Sequence, residues 1–322
     1  MTAAIAGLGA YYPERIRRNA EWPADFAAAA RSAGDRLFND IPPSPDAALR
    51  LTDAYLAAEA GDAFLGVRER RVAPEAMSAA DAELIAAQRA LADAGTSAEE
   101  VDAVISYAAV PDRMTPSSAC GVANRLGASR AVAYGVDAAC ATALVQIELA
   151  RALVESGQAS TVLLTQSHLL LRAFPMLHPA APGLGDAATA VVVRSNGRFP
   201  ILAALARTHG QFAPAVTWVR GDTDAEDAPW WQAGGPLRIG SRDRAQAKLL
   251  QRDTVAYGVQ TLRELAQAAR IDLERIDILA TVEPRGWVPR AIAEVLGLDP
   301  AIVASVYETR GHLGACGPIA NL

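Results

Sequence analysis

Residues 132–165, VAYGVDAACATALVQIELARALVESGQASTVLLT, decide the fold. Val132 to Val136 is a short strand pattern, and Asp137-Ala138-Ala139-Cys140 is a tight turn of small residues. A helical pattern covers 141–156, and a second apolar strand runs from Ala159 to Thr165. Strands that are apolar without alternation are buried on both faces, the pattern of a mainly parallel sheet covered by helices. Cys140 stands where a strand hands over to a helix. The positive end of the helix dipole and the free N–H groups there favour a thiolate, and small neighbours let a carbonyl approach the backbone. The residues alone leave a second reading open, because a cysteine in an alanine-rich helix start is more often a small buried hydrophobe.

The same rhythm extends outward. Upstream lie a strand over 3–8, a helix over 79–94 capped by Ser78 and closed by Gly95, a strand from Val101 to Ala109, and a helix opening at Ser117-Ser118. Residues 20–63 suggest short helices joined by loops. Downstream, 166–183 is a long loop carrying His168 and His178, and Gly185-Asp186 leads into a strand over Ala190 to Val193. The pattern then restarts with a strand at 200–207 and an irregular stretch holding Trp218, Trp230 and Trp231. A helix at 247–269, a strand at 276–282, a helix at 288–296 and a strand at 302–307 follow. The expectation is an α/β protein of two fused halves, 1–195 and 196–322.

Composition narrows the function. With 322 residues, 51% of them hydrophobic, a folded chain buries about three quarters of its unfolded surface. That suits a large core or two fused half-cores and excludes a small disulfide- or metal-stapled module. Net charge is -6 and Lys248 is the single lysine, with no dense basic cluster to suggest nucleic-acid binding. Cys120, Cys140 and Cys316 are far apart, and neither they nor the four histidines show metal-ligand spacing. No signal-peptide pattern or membrane-length apolar run is present, so a soluble cytoplasmic protein is expected.

His312, in Gly311-His312-Leu313-Gly314-Ala315-Cys316-Gly317, is the second candidate: an imidazole in a crowded glycine loop needs a partner, either main chain or a thiol. Together these stretches resemble the thiolase superfamily, nearest its ketosynthase III-like members. The resemblance is carried by residues 3–18, by Gly66 to Arg71, and by the 79–94 helix. It continues through Pro111-Asp112-Arg113 and Pro116-Ser117 to Asp137-Ala138-Ala139-Cys140, then to Gly185-Asp186-Ala187-Ala188. It is poor over 20–60 and 205–245. It implies a thiolase-like fold, two fused halves with mostly parallel five-stranded sheets, and Cys140 as nucleophile. It also implies a dimer, no tightly bound cofactor, and a donor that is acyl-CoA or an acyl group on a phosphopantetheinyl carrier protein.

The departures shape the expected activity. Condensing relatives pair the cysteine with His and Asn or with two His. Here Val282-Glu283-Pro284-Arg285-Gly286-Trp287 puts Arg285 where the first His is expected, and His312 stands in the second position. A guanidinium is permanently protonated and cannot serve as base or neutral donor; it can bind a carboxylate, steady an oxyanion, or simply pair with Glu283. A Cys–His pair without the second imidazole points to acyl transfer to a hydroxyl, amine or thiol, without condensation, in polyketide or other secondary metabolism. A decarboxylative ketosynthase III and a non-catalytic companion subunit are the alternatives. His209 is a rival base, and Arg290 matches the family's phosphate- or carrier-contacting arginine. The family continues well past the His312 loop, with a Gly-rich turn that supplies a second oxyanion amide; with the chain ending at Leu322, the second half is expected to be incomplete.

Overall fold

The computed structural model describes residues 2–30, 43–44, 46, 49–220, 231, 235 and 237–322; Trp230 and most of the expected short helices over 31–48 lie outside them. Strand β1 (Ala4–Tyr11) is followed by β2 (Ile16–Arg18), helix α1 (Leu51–Glu59) and β3 (Glu69–Arg71). Next come α2 (Ala79–Ala94), β4 (Ala103–Ala108), α3 (Ser118–Leu126), β5 (Val132–Gly135), α4 (Thr142–Glu155) and β6 (Thr161–His168). Then follow β7 (Ala187–Arg194), β8 (Phe199–Pro200), β9 (Thr217–Arg220), β10 (Leu237–Gly240) and the long α5 (Arg244–Ala269). Strands β11 (Leu279–Ala280) and β12 (Val303–Ala304) enclose α6 (Val288–Leu296).

The central sheet has the order β5-β4-β6-β7-β1-β8. It is mixed rather than mainly parallel: β5, β4 and β6 run parallel, while β7 is antiparallel to β6 and to β1. The connection explains the difference. A parallel neighbour needs a crossover, usually helical, and residues 169–186 hold only short turns that return the chain at the end of the sheet where it left. The expected strand at 200–207 is reduced to Phe199–Pro200, and those at 276–282 and 302–307 to the parallel pair β11–β12. Among the described residues no five-stranded second sheet forms.

Helices cover both faces of the central sheet. On one face, α2 and α3 bury Ala86, Ala90 and Val122 against Val104, Leu163 and Val192. The fit is close because β1 carries glycine: a Cβ at Gly9 would lie 2.2 Å from the Ala86 carbonyl oxygen. On the other face, α4 buries Ala143, Ala150 and Val154 against Ile105, Leu164 and Val193. Helix α2 starts where Ser78 and Asp81 cap each other and where Asp112 accepts from the Ala79 and Ala80 amides at 2.6 and 3.0 Å. It ends at Gly95, φ 59°.

One charge lies inside this packing. Glu83 of α2 is fully buried and accepts from the hydroxyls of Ser106, Thr165 and Ser167 at 2.6, 2.6 and 2.8 Å. Burial raises its carboxyl to about 7, and the three hydroxyls only partly offset this. A carboxyl raised on folding contributes stability at low pH that is lost as pH climbs from about 4.5 to about 7, roughly 3 kcal/mol in all. Glu83→Gln is expected to gain on the wild type by up to that amount between pH 5 and pH 8 in urea unfolding. A gap that does not change with pH would show that the carboxyl is ionised throughout.

Candidate active site

The turn before Cys140 is fixed by short polar bonds. Val136 donates to the Ser106 carbonyl at 3.0 Å and carries the β4–β5 pairing one residue past β5. Asp137 Oδ1 accepts from the Ala139 amide at 2.8 Å; Thr142 Oγ1 accepts from the Ala138 amide at 2.9 Å and donates to the Ala139 carbonyl at 2.7 Å. These bonds hold Ala139 at φ 50°, a left-handed conformation that costs an alanine about 1 kcal/mol. The strain turns Cys140 out of the sheet at the start of α4, with its side chain reachable by solvent.

Protein nevertheless surrounds the sulfur on its other sides. Desolvation, with a smaller contribution from Asp137, pushes the thiol up to about 11. A group that water reaches from one side feels only part of that penalty, yet the direction is opposite to the thiolate expected from the helix start. At rest Cys140 is a thiol.

His312 reaches it from the far end of the sequence. Its backbone forms an isolated parallel bridge with Leu184: the His312 amide donates to the Gly183 carbonyl at 2.7 Å, and the Gly185 amide donates to the His312 carbonyl at 3.1 Å. In the ring, Nδ1 lies 2.8 Å from the Glu283 carbonyl oxygen. A carbonyl only accepts, so Nδ1 carries the hydrogen and Nε2 presents its lone pair. That Nε2 is 3.4 Å from Cys140 Sγ. Burial lowers the imidazole to about 4, with nearby Arg285 adding to the effect against the Glu283 carbonyl. The pair is a neutral thiol and a neutral imidazole, able to pass one proton.

Arg285 does not pair with Glu283. Its Nε lies 3.3 Å from Glu59 Oε2 of α1, with both side chains mostly buried, and it sits beside the Tyr307 hydroxyl. The Glu283 carboxylate turns instead to Ser305 and to Asn321, at 3.1 Å. Arg290 is exposed and, with Tyr55, Glu59, Trp287 and Tyr307, lines a cavity of about 650 Å³. His209 is not brought to the cysteine: its ring packs on Tyr257 of α5, centroids 3.9 Å apart, and among the described residues no hydrogen bond joins it to Cys140 or His312. His178 lies edge-on to Phe174. Trp218 packs beside Leu170 and Leu171, and Trp231 is exposed. Cys120 is exposed near the Ala133 carbonyl, and Cys316 is buried with Sγ 3.5 Å from the Gln166 carbonyl oxygen.

One neighbour was given too small a place by the sequence. His168, assigned there to a loop, is the last residue of β6, and its ring stands 5.4 Å from that of His312 at 79°. The signal was present in strand alternation: Gln166 and His168 share the face of Leu164, toward α4, whereas Thr165 and Ser167 face Glu83.

Comparison with known proteins places the chain in a family. Residues 134–210, which include Cys140, match the family described as 3-oxoacyl-[acyl-carrier-protein] synthase III. The beta-ketoacyl-[acyl-carrier-protein] synthase III of Bordetella petrii is 32% identical over 99% of this chain and 88% of its own length. That of Pectobacterium atrosepticum is 26% identical over 98% and 87%. In fold, the chain superposes on the Aquifex aeolicus synthase III with a TM-score of 0.72 at 22% identity, covering 99% of this chain and 89% of that one. The priming beta-ketosynthase of the R1128 polyketide pathway gives 0.72 at 20% identity, covering 100% and 86%. The chain therefore belongs to the beta-ketoacyl-[acyl-carrier-protein] synthase III family of the thiolase superfamily.

Proposed function

We propose that this protein takes an acyl group from a thioester, acyl-CoA or an acyl group on a carrier protein, and passes it through Cys140 to a hydroxyl, amine or thiol without carbon–carbon bond formation. One observation carries the reading: Cys140 Sγ and His312 Nε2 stand 3.4 Å apart, while Arg285, at the position of a second catalytic imidazole, is tied to Glu59. His312 Nε2 takes the Cys140 proton as the sulfur attacks the thioester carbonyl. The tetrahedral oxyanion collapses, the donor C–S bond breaks, and the departing thiolate recovers the proton from His312. His312, neutral again, deprotonates the acceptor as it attacks the acyl-enzyme; the Cys140–acyl C–S bond then breaks, and the Cys140 thiolate takes the proton back from His312. His209 has no part in this scheme, since its ring lies on Tyr257.

The two halves, 1–195 and 196–322, contribute one member of the pair each. Arg290, exposed at the cavity rim, meets the phosphate of a phosphopantetheine-bearing donor. The carrier-protein reading is supported by the names of the relatives, and a role in polyketide or other secondary metabolism by the likeness to a priming ketosynthase. The protein works in this reading as a cytoplasmic homodimer; among the described residues no helix is long and apolar enough to cross a membrane. The same names favour decarboxylative condensation as the second reading. It requires two neutral polar groups on the thioester carbonyl, and an ion-paired guanidinium is a poor substitute for one of them.

Intact-protein mass spectrometry after incubation with short-chain and malonyl thioesters is expected to show an acyl adduct that Cys140→Ala abolishes. With malonyl donors the adduct keeps its carboxylate; carbon dioxide release would favour condensation instead. His312→Ala is expected to slow acylation about 10²- to 10⁴-fold.

The pH dependence follows from the imidazole. His312 acts only when neutral, so acylation fails as pH falls through its folded value of about 4 and holds level from pH 5.5 to 8. An acid limb near 6.5, read from adduct formation against pH, would contradict a desolvated base.

A further inference from the structure

His168 has no role in that scheme, yet the loop bearing His312 is built around it. It is 3% exposed at the C-terminal end of β6. Its Nδ1 lies 2.8 Å from the Gly185 carbonyl oxygen, so this imidazole too carries its hydrogen on Nδ1. Gly185 then joins the two histidines through one residue: its carbonyl accepts from His168 and its amide donates to the His312 carbonyl. Nothing larger fits in that clamp, since a Cβ on Gly185 would lie 1.8 Å from the Arg310 carbonyl oxygen. Two residues beyond His312, Gly314 rests on the His168 ring so closely that a Cβ would approach Cδ2 to 2.4 Å. Thus β6, the 183–185 segment and the 311–314 loop meet on one imidazole.

Among the described residues the ring that stands against His312 is that of His168. Cys140 faces Nε2, the Glu283 main chain holds Nδ1, and the Arg285 charge lies nearby, compensated by Glu59. The Glu283 carboxylate is turned away toward Ser305 and Asn321, so among the described residues no carboxylate orients the imidazole. We infer that His168 is a positioning residue for His312: through Gly185 it holds the His312 main chain, and with its ring it walls the imidazole, so that Nδ1–H stays on the Glu283 carbonyl and water is kept from the ring. His168 itself stays neutral throughout, since burial and the proximity of His312 hold it down near 3.

The inference uses the acyl-transfer reading only for its effect on rate, so its test begins with the ring. Long-range proton–nitrogen NMR of the imidazoles is to be recorded across pH for the wild type, His168→Leu and His168→Asn. The wild type is expected to show His312 as one tautomer titrating near 4. In His168→Leu the bond to Gly185 and the ring wall are both lost and the His312 ring is free to leave the Glu283 carbonyl, so the tautomers mix and the titration moves up by about one unit or more toward the solvated value. His168→Asn keeps a donor for Gly185 without the ring; it is expected to fall between the two, and it serves if the leucine variant does not fold. An unchanged tautomer and titration in a folded variant would overturn the inference.

Cys140 acylation read in parallel separates the two claims. It is expected to fall at least about tenfold in His168→Leu, with its acid limb raised by the same amount as the ring titration. If the ring responds but the wild type is never acylated, the acyl-transfer reading fails and the positioning role stands. A rate loss equal at every pH, with the ring unmoved, marks a purely structural residue.

Discussion

Two backbone hydrogen bonds between residues 183–185 and His312 close the site. They join segments more than a hundred residues apart, and the cysteine–histidine distance depends on them. The contact is nearly all main chain, so glycine sets its terms: Gly311, at φ 73°, lets the chain turn in, and Gly185 leaves room for the approach. The other side of the segment is pinned by Arg70, which is fully buried and donates to the Pro182 carbonyl at 2.7 and 3.1 Å while stacking over Trp22. Its acceptors among the described residues, the Pro182 and Arg17 carbonyls and the Asn19 side chain, are neutral, and desolvation lowers it to about 10. A buried cation satisfied only by neutral acceptors contributes little net stability, but it fixes geometry, because each donor in its rigid fork needs its acceptor in place.

Strand β6 divides labour by parity. Thr165 and Ser167 point to Glu83 beneath α2, while Gln166 and His168 point to the α4 side. There Gln146 Oε1 accepts from the Gln166 side-chain amide, and Thr189 Oγ1 donates to Gln166 Oε1 at 2.7 Å. Four successive polar residues at the end of a central strand would be costly if unpaired. Each finds a partner supplied by an element distant in sequence, and this permits the strand to run as far as His168.

The same long-range satisfaction explains what could be read in advance. Helices α2 and α6 appear with the expected ends, since Ser78, Gly95 and Gly297 are local signals acting on their own helices. The turn at Cys140 and the loop at His312 were legible for the same reason, each being a short pattern of small residues. The extension of β6 was not, because Gln166, Ser167 and His168 look like loop residues until Gln146, Glu83 and Gly185 are placed beside them. Nor were the second-half strands: 200–207 has the right alternation, but extended chain persists only where a neighbour takes its hydrogen bonds, and β1 pairs with residues 199 and 200 alone. The antiparallel β7 could have been foreseen, as 169–186 carries prolines and no helical periodicity.

Electrostatics ties the departures from the family pattern together. Arginine at 285 puts a fixed positive charge near His312, and such a charge opposes protonation of the imidazole. Glu59 reduces the opposition by pairing with the guanidinium, and that carboxyl is itself raised by burial, with Arg285 drawing it back. Burial, with Arg285 adding to it, leaves His312 neutral, and burial leaves Cys140 protonated at neutral pH. A site with a standing thiolate–imidazolium pair would attack any electrophile that entered. In the proposed scheme a neutral pair separates charge only when a carbonyl is in position to receive the sulfur, which couples proton transfer to Nε2 to substrate binding. Arg285 thus adds a fixed charge to the burial that already keeps His312 neutral, and Glu59 limits how much that charge adds.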